Sequence, residues 1–347
     1  MEILTGHRVP ESQYYFRKHL DAGVRIHRRL PELVNAAAIK LRTTSWARQA
    51  RDASGMVSGL AVPSSFYWQF DVVCPIQVEN YYRVQQQVDD HPGLIVHLMG
   101  NTIQYNHDMY DLLTKGKEYR FVIFNRAQAD EVAHLPCRTF RWPLAMDLTD
   151  RPLLPRRTRA PDEPARIGVF TRLSDQKPIE PFLYALHELN QRLPAELWVY
   201  GGGDPGIFER CIRTLSLQER VRFMGHTPDL VATLRDEQID SCWLMSVDET
   251  VGYASIEIGS LGVPMVYWNW GHQRHDEVLA ATGGVMHAFS SVLAFVDHAE
   301  TLLRDPAHLA DQGRRLRDHF LAHHDVGRRI RQLEDHYAEV VDQECVA

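Results

Sequence analysis

The chain has 347 residues, 44% of them hydrophobic and 24% charged, with a formal net charge of -7. This is the composition of a globular protein with room for two domains, and it argues against disorder and against wholesale nucleic-acid binding. No apolar run approaches the roughly 20 residues that a membrane-spanning helix needs, and Met1-Glu2-Ile3 does not begin a secretory signal, so the expectation is a cytoplasmic protein.

The charge is unevenly spread. Residues 1–60 hold ten Lys or Arg against five Asp or Glu, a local excess of +5, which leaves -12 for the remainder. Such a basic face could meet an acidic acceptor or touch an anionic membrane peripherally; it could equally be a solvated helix face. The cysteines at 74, 137, 211, 242 and 345 form no Cys-x-x-Cys pair, so they are read as free thiols that name no metal site.

In chain order, strands are predicted at 3–5, 72–78, 94–99 and 121–124, with a helical period over 30–53. The last two strands are near-continuous apolar runs, as expected where both faces of a parallel sheet are covered. Residues 1–150 therefore read as a first α/β domain. From 147 to 164 there are four prolines and no hydrophobic period, which predicts a stiff linker, placed at 151–164. Its Arg156, Arg157 and Arg159 are read as solvated charges in preference to phosphate contacts.

After the linker the alternation becomes regular. Strands are predicted at 166–170, 197–200, 221–224, 241–245 and 264–268. Between them, Phe182, Leu186, Leu189 and Leu193, and then Phe208, Cys211, Ile212 and Leu215, recur at helical spacing. This is a βαβ series, hence a doubly wound parallel sheet over 165–326. Beyond Ser291 the chain reads as helical, with Asp305-Pro306 dividing one helix from the next and a last helix over 327–347 expected to return to the first domain. The stretch 246–269 runs from a strand end through a polar turn and a short helix to the next strand. Ligands of open parallel sheets sit outside the carboxyl ends of the strands, so a binding site is expected here, flanked by Glu249 and Glu257.

Several segments carry a joint pattern. Thr171-Arg172-Leu173 and Lys177 follow the first strand of the second half, and Tyr200-Gly201-Gly202-Gly203 closes the second. Arg220-Val221-Arg222-Phe223-Met224-Gly225 spans the third. Ser246, Glu249, Gly252, Glu257, Gly262 and Pro264 place two glutamates, with seven residues between them, around a glycine turn. Taken in order over about 160–290, these resemble the donor-binding domain of the GT-B glycosyltransferases, in particular the retaining glycosyltransferase family 4. In the first half, Leu94-Ile95-Val96-His97 resembles the strand that ends in that family's active-site histidine. Trp142-Pro143-Leu144-Ala145-Met146-Asp147 resembles its exit from the first domain, with two positions replaced. The usual glycine-rich loop after the first strand is not evident, Gly6 being the one glycine nearby.

The resemblance implies a GT-B fold, two Rossmann-like doubly wound domains facing a central cleft, and transfer of a sugar from a nucleotide donor with retention. The residue chemistry suits this. Arg172 and Lys177 could stabilise a departing diphosphate, although they could also be surface cations. The segment Gly252-Tyr253-Ala254-Ser255 opens a helix whose N–H groups form an anion site, or which Ser255 merely caps. Glu257, in an otherwise apolar helix, could accept from both ribose hydroxyls. By resemblance, Gly201, Gly202 and Val221 line the donor, with Val221 beside the nucleobase, Glu249 lies near the sugar or phosphates, and His97 faces the reacting centre. His107 and Asp108 are acceptor-side candidates.

His272 and His275, and the pair His323-His324, lack a third ligand at metal spacing, and no Asp-x-Asp closes an apolar strand. A metal-independent reaction without a cofactor is therefore expected, with a UDP- or GDP-sugar as donor substrate. The acceptor could be a glycan, a lipid-linked sugar, a metabolite, a protein or a modified nucleic-acid base. The alternatives are an inactive nucleotide-sugar-binding or scaffold protein and a GT-B nucleotide-sugar epimerase.

Overall fold

The computed structural model describes residues 2–5, 25–28, 64–75, 81, 85, 87–98, 117–124, 126–160, 162–174, 177–245, 253–268 and 287–345. The expected helix at 30–53 lies outside them. Near the start, β1 (Glu2–Thr5) pairs in parallel with β2 (Arg25–Arg28). A three-stranded parallel sheet follows, made of β3 (Val96–His97), β4 (Tyr119–Ile123) and β5 (Cys137–Arg141), accompanied by α1 (Ser64–Tyr67) and α2 (Arg126–Val132). Its alternation of side chains decides its packing. Val96, Tyr119, Phe121 and Ile123 face one way, onto Tyr67, Tyr81 and Val132, while Ile95 and Val122 face the other. Strand β5 was not predicted. Its Cys-Arg-Thr-Phe-Arg is a mostly exposed edge with no apolar run to signal it.

The second sheet has six strands, all parallel: β6 (Ala165–Phe170), β7 (Ala195–Tyr200), β8 (Val221–Gly225), β9 (Ser241–Met245), β10 (Met265–Trp268) and β11 (His287–Phe289). Five match the predicted series; β11, a three-residue edge, did not stand out. The helices between and after them are α3 (Glu180–Asn190), α4 (Glu209–Thr214), α5 (Leu230–Asp236), α6 (Tyr253–Ser260), α7 (Val292–Arg304), α8 (Pro306–His323) and α9 (Val326–Cys345). Period two again divides the core. Ile167, Val169, Leu197, Val199, Trp243 and Val266 pack with Phe182 and Leu186 of α3 and Phe295 of α7. On the other face Trp198, Tyr200, Cys242, Leu244 and Met265 pack with Ile256 and Ile258 of α6 and Phe320 of α8. The Asp305-Pro306 break behaves as read: the Asp305 carboxylate caps α8 by accepting from Ala307 N at 2.9 Å and His308 N at 3.0 Å, with Pro306 in the first turn where it sacrifices no hydrogen bond.

The described residues of the proline-rich linker form no helix or strand, but its arginines are not solvated, which corrects the sequence reading. Arg156 donates to Ile239 O at 3.0 Å and Gly262 O at 2.7 Å. Arg157, with its side chain 4% exposed, forks onto the buried Asp240 carboxylate at 3.0 and 2.7 Å. Arg159 donates to Leu303 O at 2.8 Å. A run of arginines carries no sign of where its carboxylate partners lie, and here one, Glu163, follows Arg157 by six residues while the buried one, Asp240, stands some eighty residues later.

The last helix, α9, lies on the small sheet. Leu333 and Val340, with Tyr337 between them on one stripe, pack on Ile95 and Val122. The segment leaving that sheet and the segment leading into α9 run side by side. Met146 N donates to His324 O and Val326 N to Met146 O, both at 2.9 Å. His324 Nδ1 bonds Leu144 O at 2.7 Å, and Trp142 Nε1 donates to Arg329 O at 3.1 Å. Among the described residues, no helix is long and apolar enough to cross a membrane.

Candidate active site

The order of the large sheet, β8-β7-β6-β9-β10-β11, fixes where a ligand fits. From β6 the chain builds outward through β7 and β8, then returns to build the other way from β9. The crevice lies where these two directions part, outside the carboxyl ends of β6 and β9. Both segments singled out in the sequence leave from there: Thr171 to Lys177 follows β6, and α6 follows β9.

On the β6 side the backbone is tightly laced. Thr171 N donates to Tyr200 O at 2.9 Å, Leu173 N to Gly202 O at 2.8 Å and Gly201 N to Gly225 O at 2.8 Å. The exits of β6, β7 and β8 thus form one ledge. The glycines are needed because the strands' exits approach so closely. Gly201 has φ +145°, and a Cβ there would stand 2.7 Å from the Thr171 carbonyl carbon and overlap its oxygen. Gly203, with φ +127°, meets Leu173 in the same way. Beneath the ledge Phe170 and Tyr200 stack at 4.6 Å with their planes 5° apart. Arg172 projects from the ledge as an exposed cation. Lys177 is half-buried, with its N–H bonded to Ser174 O at 2.8 Å across a turn.

On the β9 side, α6 begins at Tyr253, which is half exposed, and Ser255 is buried within its first turn. Glu257 stands four residues after Tyr253, so the two share a helix face roughly 6 Å apart along the axis. Burial pushes the Glu257 carboxyl above the usual carboxylate range, opposed by the charge of Arg151. Among the described residues nothing donates a hydrogen bond to that carboxylate. Helix α6 is held from behind: Gly259 admits the Phe320 ring of α8 so closely that a Cβ would collide with it.

The structure therefore brings Arg172, Lys177, Gly201 and Gly202 to one side of the crevice, and Tyr253, Ala254, Ser255 and Glu257 to the other. Val221 is not brought there. It opens β8 at the amino end, packed against the core, four residues or roughly 13 Å of strand from the carboxyl edge. Met224 and Gly225 occupy that edge instead. Glu249, Gly252, His107 and Asp108 lie outside the described residues.

His97 ends β3 in the other sheet. It is buried at 8% exposure on the face that α9 covers, and its Nε2 lies 2.7 Å from the Tyr337 hydroxyl. Burial, reinforced by the nearby charge of His336, pushes the imidazole down to about 4. The imidazole is therefore neutral at ordinary pH. Two partners escaped sequence reasoning: Arg151, which lies in the linker, and Tyr337, which is 240 residues away from His97 in the chain. Neither has a local signal.

Residues 164–305 match the family model described as "Glycosyl transferases group 1". No curated protein matches the chain by sequence. Among solved structures, Anabaena HepE superposes with a TM-score of 0.69 at 14% identity, covering 97% of this chain and 98% of that one. Sucrose-phosphate synthase from Thermosynechococcus elongatus superposes with a TM-score of 0.66 at 14% identity, covering 99% of each. The pneumococcal O-GlcNAc transferase GtfA gives 0.58 at 14% identity over 80% of this chain and 59% of that one. The fold is accordingly the GT-B form of parallel α/β architecture, with the glycosyl transferases group 1 pattern over 164–305.

Proposed function

We propose that the protein is a glycosyltransferase that binds a nucleotide sugar at the crevice between β6 and β9 and passes the sugar to an acceptor held by residues 1–150. The observation that carries this is the convergence of two unlike groups on one topological switch point: a cationic ledge after the first strand and a helix start with a carboxylate after the fourth. A nucleoside diphosphate needs both. Arg172, Lys177 and the N–H groups opening α6 supply positive potential to the diphosphate, most strongly as the bond to the sugar breaks and negative charge develops. Glu257 accepts from the ribose hydroxyls, which supply hydrogen bonds that its half-buried carboxylate does not receive from the described residues. Gly201 and Gly202 let the ledge approach the ligand, Glu249 lies toward the sugar, and His97 meets it from the other sheet.

The solved neighbours support a sugar-nucleotide donor: HepE is described in complexes with UDP and glucose and with UDP-glucose, and GtfA with UDP and GlcNAc. In this reading transfer proceeds with retention and without a metal, the two cations standing where a divalent ion would otherwise offset the leaving diphosphate.

The test is incubation of the purified chain with UDP-, GDP-, ADP- and TDP-sugars, following binding and nucleotide release, with Arg172→Ala and Glu257→Gln as variants. Binding of one donor, weakened in both variants, is expected. If none of the donors binds, the proposal is wrong. Tight binding with no turnover toward any acceptor or water would instead identify a nucleotide-sugar-binding protein. Conversion of the sugar itself without acceptor would identify an epimerase.

A further inference from the structure

What His97 can offer a ligand depends on a residue of the last helix. The alternation of β3 turns Ile95 and His97 onto the face that α9 covers. There the Tyr337 hydroxyl lies 2.7 Å from His97 Nε2, with the rings 6.2 Å apart and tilted by 56°. The Cys74 thiol, from the segment that runs beside β3, is brought to the same hydroxyl. In their neutral forms the three groups carry one exchangeable proton each, and only one proton can lie between His97 Nε2 and the Tyr337 oxygen. An imidazole nitrogen accepts far better than a thiol sulfur. The favoured arrangement therefore has Cys74 S–H donating to the Tyr337 oxygen and Tyr337 O–H donating to His97 Nε2.

We propose that Tyr337 is a positioning residue that holds His97 in its Nδ1–H tautomer, so that the C-terminal helix determines which hydrogen-bond donor the strand-end histidine presents. The catalytic meaning of this rests on the glycosyltransferase reading; the geometry does not. Helix α9 is well placed for the task because Leu333 and Val340, on the stripe that carries Tyr337, are buried against Ile95 and Val122. It cannot slide without exposing both. The other titratable neighbour on α9, His336, stacks on Phe140 at 4.0 Å, and its positive form would further disfavour protonation of His97. Among the described residues, Tyr337, His336 and Cys74 are the titratable groups brought against this imidazole. Burial raises both the Tyr337 hydroxyl and the Cys74 thiol, so both retain the protons that the arrangement requires.

The experiment uses the full chain labelled with [15N]histidine, with the His97 resonances identified by their loss in His97→Gln. Long-range nitrogen–proton spectra should give the Nδ1–H pattern for His97 between about pH 8 and pH 5. Tyr337→Phe keeps the ring that packs in the interface and removes the hydroxyl; it should give exchanging tautomers. With the donor identified above, it should lower kcat about tenfold, the scale of one neutral hydrogen bond, with KM for the donor held within about twofold. Cys74→Ser, whose hydroxyl can donate as the thiol does, should keep the wild-type tautomer pattern. An Nε2–H pattern in the wild type overturns the proposal, as does a Tyr337→Phe protein with unchanged tautomer and unchanged kcat. If the wild type consumes no sugar nucleotide, the functional reading fails, and the tautomer pattern alone still decides whether Tyr337 sets His97.

Discussion

Substituting Gly201 by alanine tests how the cationic ledge is built. The backbone there has φ +145°, and the added Cβ would stand 2.7 Å from the Thr171 carbonyl carbon. The obstacle is backbone, so no rotamer change relieves it. Holding alanine in that conformation costs roughly 1–3 kcal/mol. Moving the Thr171 strand exit aside would also weaken the bonds from Leu173 N to Gly202 O and from Gly201 N to Gly225 O, each contributing about 1 kcal/mol. The expected loss of folding stability is about 2–4 kcal/mol, read as a lower urea midpoint at an unchanged m-value. Arg172 leaves from the displaced segment, so affinity for UDP, measured by calorimetry, should fall as well. Gly202→Ala is the control. It has no atom within 4 Å of its added Cβ and no left-handed φ, so its stability should stay within about 0.5 kcal/mol of the wild type. Equal stability of Gly201→Ala and the wild type, or equal damage from the two alanines, would refute the close approach as the reason for the glycine turn.

Two further outcomes follow from buried charge. Asp240 accepts from Arg157 Nε, Arg157 Nη2 and Arg166 N, and Asp240→Ala leaves the buried guanidinium with Glu163 as its one remaining carboxylate; the urea midpoint should fall by the equivalent of about 3 kcal/mol, the low end for a broken buried pair, and a loss below ~1 kcal/mol would mean that the linker is not anchored there. His97 is held down to about 4, so its neutral form is the one the folded state favours. Its contribution is fully present above pH ~6.5 and is lost as pH falls toward about 4, amounting to about 3 kcal/mol at the acid end. Urea midpoints measured down this range should decline less steeply in His97→Gln. His319, also pushed down to about 4 by burial and by the charges of His323 and His324, should leave a residual slope in that variant.

The large sheet was legible because its central strands are buried on both faces and therefore mostly apolar. Ala195–Tyr200 and Ser241–Met245 are buried at every position, and the segments between them carry helical spacing. The ledge was legible for a different reason: only glycine tolerates the approach at 201, so the backbone requirement appears as a residue type. Edge strands are the opposite case. Cys137–Arg141 is paired along one side and mostly exposed, so it needs no apolar pattern and offers none. The roles of Arg156 and Arg157 were hidden because pairing, not residue type, separates a buried arginine from a solvated one. Val221 illustrates a limit of motif placement. The motif falls on β8, but Val221 opens that strand, and its carboxyl end is occupied by Met224 and Gly225.

The contact between α9 and the small sheet joins stability to function. Among the described residues, Ile95 and Val122 have only the apolar stripe of α9 and the side chains around it to cover them, so the small sheet depends on a helix that follows the large one in sequence. The chain makes that connection next to its outward crossing, with Met146 bonded to His324 and Val326 and with Leu144 bonded to the His324 ring. Two adjacent, hydrogen-bonded crossings resist separation and sliding more than they resist rotation, and under the proposed glycosyltransferase reading a rotation is the kind of motion that would bring donor and acceptor together. Throughout such a rotation α9 would travel with the small sheet, keeping Tyr337 on His97. The histidine's orientation would then be independent of closure, while its distance from the cations of the ledge would change with it.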